Sequence, residues 1–192
     1  MLHRSVKKYD SPVDGTGLKA TGFIAQGTVV SGIEEGDQYQ ILTRKELNEL
    51  DETLRHLPSR YGKKFFLARD DSDYMNHSCD PNTWWIDDNT MTARRDIQPG
   101  EEITYDYVSS EVHPWWRAKW HCRCGSDICR DIITGRDCLD TEFQRRHIGR
   151  LPTWTLEFIE RNRGIRGHLT AVLYIMAKTV HSSIAMLKQF LK

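Results

Sequence analysis

The sequence has no surplus of charge of either sign, because its 192 residues contain 27 Lys and Arg and 27 Asp and Glu. A chain that binds nucleic acid is expected to carry a basic excess, so direct nucleic-acid binding is not predicted. The charge is uneven, however, since residues 141–192 contain nine Lys or Arg and three Asp or Glu. This basic tail predicts a solvated helical face, with a docking surface for an acidic partner or a lipid headgroup as the alternative.

Long apolar runs are also missing. The start, residues 1–8, lacks the apolar core of a signal peptide, which predicts an intracellular protein, cytoplasmic, or nuclear if the source is a eukaryote. An apolar stripe at helical spacing runs through residues 168–191, but Lys178 and His181 interrupt it before the roughly 18 residues of a membrane span. We expect a helix packed on the domain or on a second subunit, as a homodimer, with a membrane-surface helix as the alternative.

Cysteine is scarce but clustered, with five in the chain and three of them at Cys122, Cys124 and Cys129. This pattern favours a reduced compartment and a metal site over a disulfide framework. Zinc takes four ligands in a tetrahedral site, so three thiolates need a fourth partner. His121 and Cys138 are within reach along the chain, although Cys138 is otherwise expected to be a buried thiol.

Short β-branched and aromatic runs alternate with Asp, Asn, Gly and Pro turns, which predicts many small sheets and an α+β, β-rich fold. A capping box at Thr43 and Glu46 precedes leucines at helical spacing and predicts a helix over about 44–57. A second helix is predicted over 153–163. The predicted strands are two within 21–31 and one each at 65–67, 83–86, 91–93 and 102–105.

The segment Gly15-Thr16-Gly17 begins a formal match to the dinucleotide fingerprint Gly-x-Gly-x-x-Ala. The context argues against that interpretation, because no apolar strand precedes the segment and strand-like residues follow it. A Gly-x-Gly loop does let backbone approach a ligand without a Cβ in the way. A simple turn at Asp14-Gly15 is the alternative.

Two further segments are distinctive: Asn-His-Ser-Cys-Asp-Pro-Asn at 76–82 and Gly-Glu-Glu-Ile-Thr-Tyr-Asp-Tyr at 100–107. With the glycine loop before them and the cysteines after them, they resemble the SET-domain protein lysine methyltransferases of small single-domain type, over most of residues 12–130. The resemblance implies a SET fold of several small β-sheets with a pseudoknot. It implies a catalytic domain at 1–120 with a variable insert at about 33–70, a post-SET zinc segment at 121–135 and a C-terminal helical extension at 136–192.

The same resemblance implies methyl transfer from S-adenosylmethionine to a lysine of a protein substrate. It places the Tyr107 hydroxyl beside the transferred methyl and Tyr105 where the number of methyls is set, so mono- or dimethyl-lysine is expected. It assigns Cys79 as the fourth ligand of one structural zinc that staples the segment after residue 120 over the active site. The implied cofactor-binding residues are Gly15, Thr16, Gly17, Tyr74, Asn76, His77 and Tyr107.

The chain departs from the family pattern at two places. Asp73 stands where many members carry Arg, and Arg130-Asp131 replaces Arg-Gly. Asp73 therefore supports a rival hypothesis, a zinc-stabilised SET-like interaction module without methyl transfer. A nucleophilic pair of His77 and Cys79 is a competing chemistry, but side chains two apart on an extended chain need not meet at their tips, and no orienting base is evident.

Overall fold

The computed structural model describes residues 1–32, 39–52, 54–55, 57–61, 64–68 and 70–162. Within those ranges the chain is β-rich, with short helices between and after the strands. The strands are β1 Val6–Asp10, β2 Thr16–Ala20, β3 Val29–Gly32, β4 Tyr39–Leu42, β5 Ser59–Tyr61, β6 Lys64–Ala68, β7 Asn76–His77, β8 Thr83–Trp85, β9 Thr90–Ala93 and β10 Glu102–Tyr105. The α-helices are α1 Arg44–Glu49, α2 Thr141–Arg146 and α3 Thr153–Asn162, and 3-10 helices cover Asp71–Tyr74, Tyr107–Ser109 and Asp137–Leu139.

The ten strands form three small sheets, as the sequence predicts. Their orders are β1-β2-β10-β7, β3-β9-β8 and β4-β6-β5. In the first sheet β10 is central: it pairs antiparallel with β2 and parallel with β7. This pairing brings together the glycine loop at the start of β2, the Asn-His pair of β7, and Tyr105 and Tyr107 at and just after the end of β10, although they are far apart in sequence. The pseudoknot stays a prediction.

The strand predictions hold at four of the predicted sites, in β6, β8, β9 and β10. Of the two strands predicted within 21–31, the structure has one, β3, while Ile24 forms only an isolated bridge to Ile97. Gly27 between them adopts a positive φ of 82° and turns the chain. The turn leaves too few residues before it to form a second strand with its own series of backbone hydrogen bonds.

The predicted helix at 44–57 is wrong in its second half. Its start is correct, because Thr43 accepts the N–H of Glu46 and the Glu46 carboxylate accepts the N–H of Thr43. The helix ends at Glu49, since Leu50 is extended, with φ −62° and ψ 154°. No residue of α1 is buried. Five of its six residues are exposed and Leu47 is only partly buried, so packing does little to stabilise further turns.

Two clusters of buried apolar side chains support the site. The first lies under β2, β9 and β10 and consists of Val6, Leu18, Ala20, Ile24, Val30, Met75, Met91, Ala93, Ile97 and Ile103. The second joins the cysteine segment to α2 and α3 and consists of Cys79, Val108, Ala118, Ile133, Cys138, Phe143, Leu151 and Ile159. Cys138 is buried, as predicted.

The helix predicted at 153–163 is confirmed as far as Asn162, as α3. Residue 163 and the apolar stripe at 168–191 lie outside the described residues. Among the residues that the structure describes, no helix combines the length and the apolar character of a membrane span.

Candidate active site and zinc centre

The glycine loop requires glycine at both of its ends. Gly15 has a positive φ of 45°, a conformation that side-chain-bearing residues rarely adopt. A Cβ on Gly17 would lie 2.4 Å from Oε1 of Glu102 and 2.8 Å from Nδ2 of Asn76. The polar strand β1 precedes the loop, and Thr16 begins β2 rather than a helix, so the dinucleotide-binding context is absent here.

Asn76 connects this loop to β10. Its Nδ2 donates to Oε1 of Glu102 at 2.9 Å and to the carbonyl of Asp14 at 3.1 Å. The same Glu102 oxygen accepts the Ser11 hydroxyl at 2.8 Å. The side chain of Asn76 therefore fixes the loop, while the loop backbone and the backbone of β7 stay close together at the predicted cofactor site.

Aromatic rings form a compact group at the end of β10. The Tyr105 and Tyr107 ring centroids lie 4.9 Å apart, and Trp85 meets Tyr105 edge-on at 6.3 Å. Trp120, from the segment that leads to the cysteines, meets Tyr107 at 6.3 Å. Burial raises the pKa of both tyrosine hydroxyls above their usual value, so they are neutral hydrogen-bonding groups. The Tyr107 hydroxyl donates to the carbonyl of Met75 at 3.1 Å.

Helix α3 supports the aromatic group from behind. Trp154 packs edge-on against Trp85 at 6.0 Å and donates its Nε1–H to the carbonyl of Ser110. Thr155 donates its hydroxyl to the carbonyl of Ser109 at 2.8 Å. The first turns of the predicted extension are thus built into the site, which the sequence did not indicate.

Glu111 is a site residue that the sequence analysis missed. Its N–H donates to the carbonyl of Tyr107 at 2.7 Å, and its carboxylate acts electrostatically on the hydroxyls of Tyr105 and Tyr107. Burial raises the pKa of Glu111 to about 7. The only signal in the sequence was an acidic residue one turn after the second tyrosine, and such a residue is usually solvated.

Asp73 and Tyr74 have local packing partners. The Asp73 carboxylate accepts the N–H of Ala68 at 2.6 Å, which ties β6 to the 3-10 helix, and burial raises its pKa to about 7. The Tyr74 ring packs on the first cluster, with the Lys8 ammonium 4.5 Å from its centroid. The predicted cofactor contact of Tyr74 stays a prediction.

The four predicted zinc ligands come together. The Sγ atoms of Cys79, Cys122, Cys124 and Cys129 all lie within 4.8 Å of one another, and Cys79 and Cys122 are 3.9 Å apart. A tetrahedral zinc with bonds of about 2.3 Å needs sulfur separations near 3.8 Å, so the donor set fits. Burial raises the pKa of the Cys79 and Cys122 thiols, so a bound cation is needed to ionise them near neutral pH.

The two other candidate ligands point elsewhere. His121 is exposed, and its Nδ1 lies 2.8 Å from the carboxylate of Asp131. Cys138 donates its S–H to the carbonyl of Gly135 at 3.3 Å inside the second cluster. Among the described residues, Cys79 is therefore the one that completes a set of four.

Cys79 is also in contact with His77, because Nε2 lies 3.3 Å from Sγ. The tips of the His77 and Cys79 side chains therefore meet, which their spacing in the sequence did not predict. The pair is nevertheless unsuited to nucleophilic catalysis. Nδ1 of His77 accepts the N–H of Tyr107 at 3.1 Å, so the ring proton of the neutral imidazole lies on Nε2, facing the thiol. Burial lowers the pKa of His77 to about 3, and the ring cannot take a proton from Cys79.

Arg130 forms a second contact to Cys79 that sequence reasoning missed. Its backbone N–H donates to Sγ at 3.4 Å, and its guanidinium donates to Oδ1 of Asp106 at 2.6 Å. Asp106 is fully buried at its side chain and accepts the N–H of Val108. Arg130, which follows Cys129, thus links the four-cysteine centre to Asp106, the residue just before Tyr107.

Comparison with known proteins finds a matching family model for part of the chain. Residues 15–108 match the family model described as the SET domain. Histone-lysine N-methyltransferase ash1 of Drosophila melanogaster is 28% identical over 143 residues, which cover 68% of this chain and 6% of that protein. A Candida albicans enzyme named histone-lysine N-methyltransferase, H3 lysine-36 specific, is 28% identical over 183 residues, which cover 79% of this chain and 20% of that protein.

A shorter and more similar match is the putative histone-lysine N-methyltransferase ASHH4 of Arabidopsis thaliana, 39% identical over 74 residues. That match covers 35% of this chain and 20% of the Arabidopsis protein. The chain therefore spans a fifth or less of the length of these three relatives.

Proposed function

We propose that this chain, whose residues 15–108 form a SET domain, is a protein-lysine N-methyltransferase that uses S-adenosylmethionine. One observation carries the proposal: β10 brings the loop at Gly15, the amide of Asn76 and the tyrosines 105 and 107 to one place. The relatives named as histone-lysine N-methyltransferases support the same reaction class and a protein substrate.

The chemistry needs a methyl donor and a neutral amine. S-adenosylmethionine, held by the backbone of residues 15–17 and 76–77, would supply the methyl group as a sulfonium. The substrate lysine has a pKa near 10.4, so deprotonating it near neutral pH costs roughly 4 kcal/mol. The half-buried rings of Tyr105, Tyr107 and Trp85 lower that cost, because they desolvate the ammonium form.

The two tyrosines have separate roles in this proposal. Tyr107, fixed through its hydroxyl, ring and amide, orients the reacting centre, and alignment supplies much of the acceleration. Tyr105 limits the volume around the methylated nitrogen, so the product is mono- or dimethyl-lysine. The substrate ammonium loses one proton to solvent before the transfer. No acid–base pair of side chains is required.

Zinc is structural in this proposal. Four thiolates leave no open position for water or substrate, and the metal would hold residues 122–129 against Cys79. The consequence for the site is that Trp120 stays against Tyr107 and closes one wall of the lysine channel.

The interaction-module alternative rests on Asp73, and the structure gives Asp73 a different task. Its carboxylate accepts the N–H of Ala68, so the residue serves the junction between β6 and the 3-10 helix. Calorimetric titration with S-adenosylmethionine separates the two hypotheses, because a module without the cofactor pocket gives no heat of binding.

The substrate is proposed to be a protein lysine, with histones as the first class to test and the nucleus as the site of action in a eukaryote. The proposed homodimer through the C-terminal helix involves residues outside the described part of the chain. Its test is the molar mass in solution with and without residues 163–192.

The decisive experiment is methyl transfer from tritiated S-adenosylmethionine to core histones and to a lysate, with the Tyr107→Phe chain as control. We expect label on lysine with the unmodified chain and a loss of about 100-fold or more with the variant, since one oriented hydroxyl is deleted at the reacting centre. Equal labelling by both chains would place the catalytic residue elsewhere.

A further inference from the structure

We propose that His77 is a positioning residue that couples the zinc centre to Tyr107, by donating to the Cys79 thiolate and accepting the Tyr107 amide. The inference rests on the proposed function for its effect on turnover, but its two hydrogen bonds can be tested without turnover. It assigns the imidazole side chain a task separate from any cofactor contact made by the backbone of residues 76 and 77.

The first step is the assignment of the ring proton. Nδ1 of His77 lies 3.1 Å from the amide nitrogen of Tyr107, which can only donate. A neutral imidazole that accepts at Nδ1 carries its proton at Nε2. That nitrogen lies 3.3 Å from Sγ of Cys79. The ring therefore donates to Cys79, and it does so most strongly when the sulfur is an ionised metal ligand.

The second step concerns other partners: Nδ1 of His77 also lies 3.7 Å from Oδ1 of Asp106, beyond hydrogen-bond distance, and that oxygen already accepts from Arg130 and Val108. The His77 side chain is 2% exposed, and its ring packs against Tyr107 at 5.2 Å and Trp120 at 6.0 Å. Water therefore has little access to either nitrogen. A change that removes one of the two hydrogen bonds leaves a buried group without its partner, which costs more than the bond itself contributes.

A parallel connection runs from Cys79 through Arg130 to the residue before Tyr107. Arg130 donates its N–H to Cys79 and its guanidinium to Asp106, the residue before Tyr107. Nε and Nη1 of Arg130 are buried without a hydrogen-bond partner among the described residues. A zinc ion with four thiolates carries two net negative charges, which the Arg130 cation would partly balance. Cys79 is thus connected through Arg130 to the Asp106 side chain and through His77 to the Tyr107 amide, and His77 is the direct connection to Tyr107.

Two amide variants separate the two bonds of His77. In His77→Asn, Oδ1 can take the place of Nδ1 and accept the Tyr107 amide, while the contact with Cys79 is lost. In His77→Gln, Nε2 can take the place of the imidazole Nε2 and donate to Cys79, while the acceptor for Tyr107 is lost. His3→Asn is the matched control, because His3 also accepts a backbone N–H, that of Ser5, away from the site.

Metal properties are the first measurement, made on the full chain loaded with Co²⁺ or Zn²⁺. We expect His77→Asn to shift the thiolate-to-cobalt charge-transfer band and to weaken zinc binding by about 10-fold or more in chelator competition. We expect His77→Gln and His3→Asn to match the unmodified chain. The link to Cys79 is wrong if His77→Asn leaves both the band and the affinity unchanged.

The Tyr107 amide is the second measurement, followed by NMR with ¹⁵N-tyrosine labelling and assigned with Tyr107→Phe. Its signal is expected to move in His77→Gln and to stay near its position in His77→Asn. Exchange of zinc for Cd²⁺ in the unmodified chain should move the same signal, which tests the coupling without any substitution. An unmoved signal on both metal exchange and His77→Gln would overturn the proposal.

Turnover is the third measurement. His77→Gln is expected to lower kcat by about 10-fold or more while zinc affinity and S-adenosylmethionine binding persist. If the unmodified chain transfers no methyl group, the proposed function fails, but the metal and NMR results still decide whether His77 couples Cys79 to Tyr107. Equal losses of kcat, zinc and cofactor binding in both variants would mean that His77 is only a packing residue.

Discussion

Tyr107 is held at its hydroxyl, its amide, its carbonyl and its ring. Its hydroxyl donates to Met75, its amide to His77, its carbonyl accepts the N–H of Glu111, and its ring lies against Tyr105. A side chain restrained in this way can orient a reacting lysine without being a proton acceptor. At the residue scale, therefore, the loss of one polar atom is expected to change the reaction more than the fold.

In the proposed function, Tyr105 sets the product specificity. Replacing Tyr105 by Phe removes a hydroxyl that occupies space and hydrogen-bonding capacity beside the methylated nitrogen. We expect Tyr105→Phe to carry methylation further on the same lysine, toward trimethyl-lysine, with a melting temperature within a few degrees of the unmodified chain. Intact-mass analysis of a substrate peptide driven to completion provides the measurement. Predominant trimethylation by the unmodified chain would contradict this role.

Glu111 predicts a pH dependence of stability. Its folded pKa of about 7 lies above the usual value of 4.5, so the folded state holds the proton more tightly than the unfolded state. The unfolding free energy therefore falls as pH rises from about 4.5 to 7, and the penalty is complete above pH 7. Glu111→Gln removes the charge and should stabilise the chain at pH 8 by about 1–3 kcal/mol, with little effect at pH 4.5.

The measurement is urea unfolding of both chains at pH 4.5, 6 and 8. Glu157→Gln is a suitable control, because Glu157 is exposed and pairs with Arg161 on α3. If Glu111→Gln gains no stability relative to its parent at pH 8, the carboxylate is not buried as described.

Some of these residues could be predicted from the sequence and others could not. The motifs identify the tyrosines, Asn76 and the cysteines because their types and spacing are distinctive. Glu111, Arg130 and Asp106 were missed, since a charged residue in a sequence is expected to be solvated and only tertiary contacts reveal its burial. The contact between His77 and Cys79 depends on side-chain rotamers that the sequence does not specify.

At the scale of secondary-structure elements, local sequence signals located where an element starts better than how far it extends. The capping box places the start of α1 at Arg44, because the two hydrogen bonds involve residues three apart. Its end depends on whether a buried face exists, which is a tertiary property. The strand β10 was predicted with its correct bounds, but its place between β2 and β7 could not be read from local pattern.

The cysteine segment yields a prediction at this scale. Cys79→Ser removes the ligand that ties residues 122–129 to β7, so the chain should lose its single zinc at least 10-fold more readily than the parent. Cys138→Ser is the control, because a serine there can still donate to the carbonyl of Gly135. Native mass spectrometry with a chelator series measures both. Full zinc retention by Cys79→Ser would exclude Cys79 as a ligand.

At the scale of the whole molecule, the described part of the predicted extension is not separable from the site. Trp154 and Thr155 hydrogen-bond to residues 109 and 110, next to the 3-10 helix that begins at Tyr107. Buried residues of α2 and α3 share a cluster with Cys79. The change from strands to helices after residue 140 suggested an appendage, because composition does not show which surface a helix covers.

Two truncations test this integration. A chain ending at residue 162 keeps α3 and should retain peptide methylation, even if its oligomeric state changes. A chain ending at residue 152 loses Trp154, Thr155 and Ile159, and full burial of the Ile159 side chain alone contributes about 1.5–3 kcal/mol. We expect it to lose most turnover and to melt at a lower temperature. Similar activity and melting for both truncations would mean that α3 is dispensable.

The central position of β10 has a consequence for the order in which the molecule assembles. Ile103 of β10 pairs with Leu18 of β2, and Thr104 pairs with Asn76 of β7. The strand therefore closes a long loop back to β2 and a shorter loop back to β7 at the same time. Closing long loops costs entropy before any contact repays it, so this sheet forms late relative to the local hairpin of β8 and β9. On the ribosome, the glycine loop emerges before β10 and remains without its partners until β10 follows, and the cysteine segment can close over the site only afterwards.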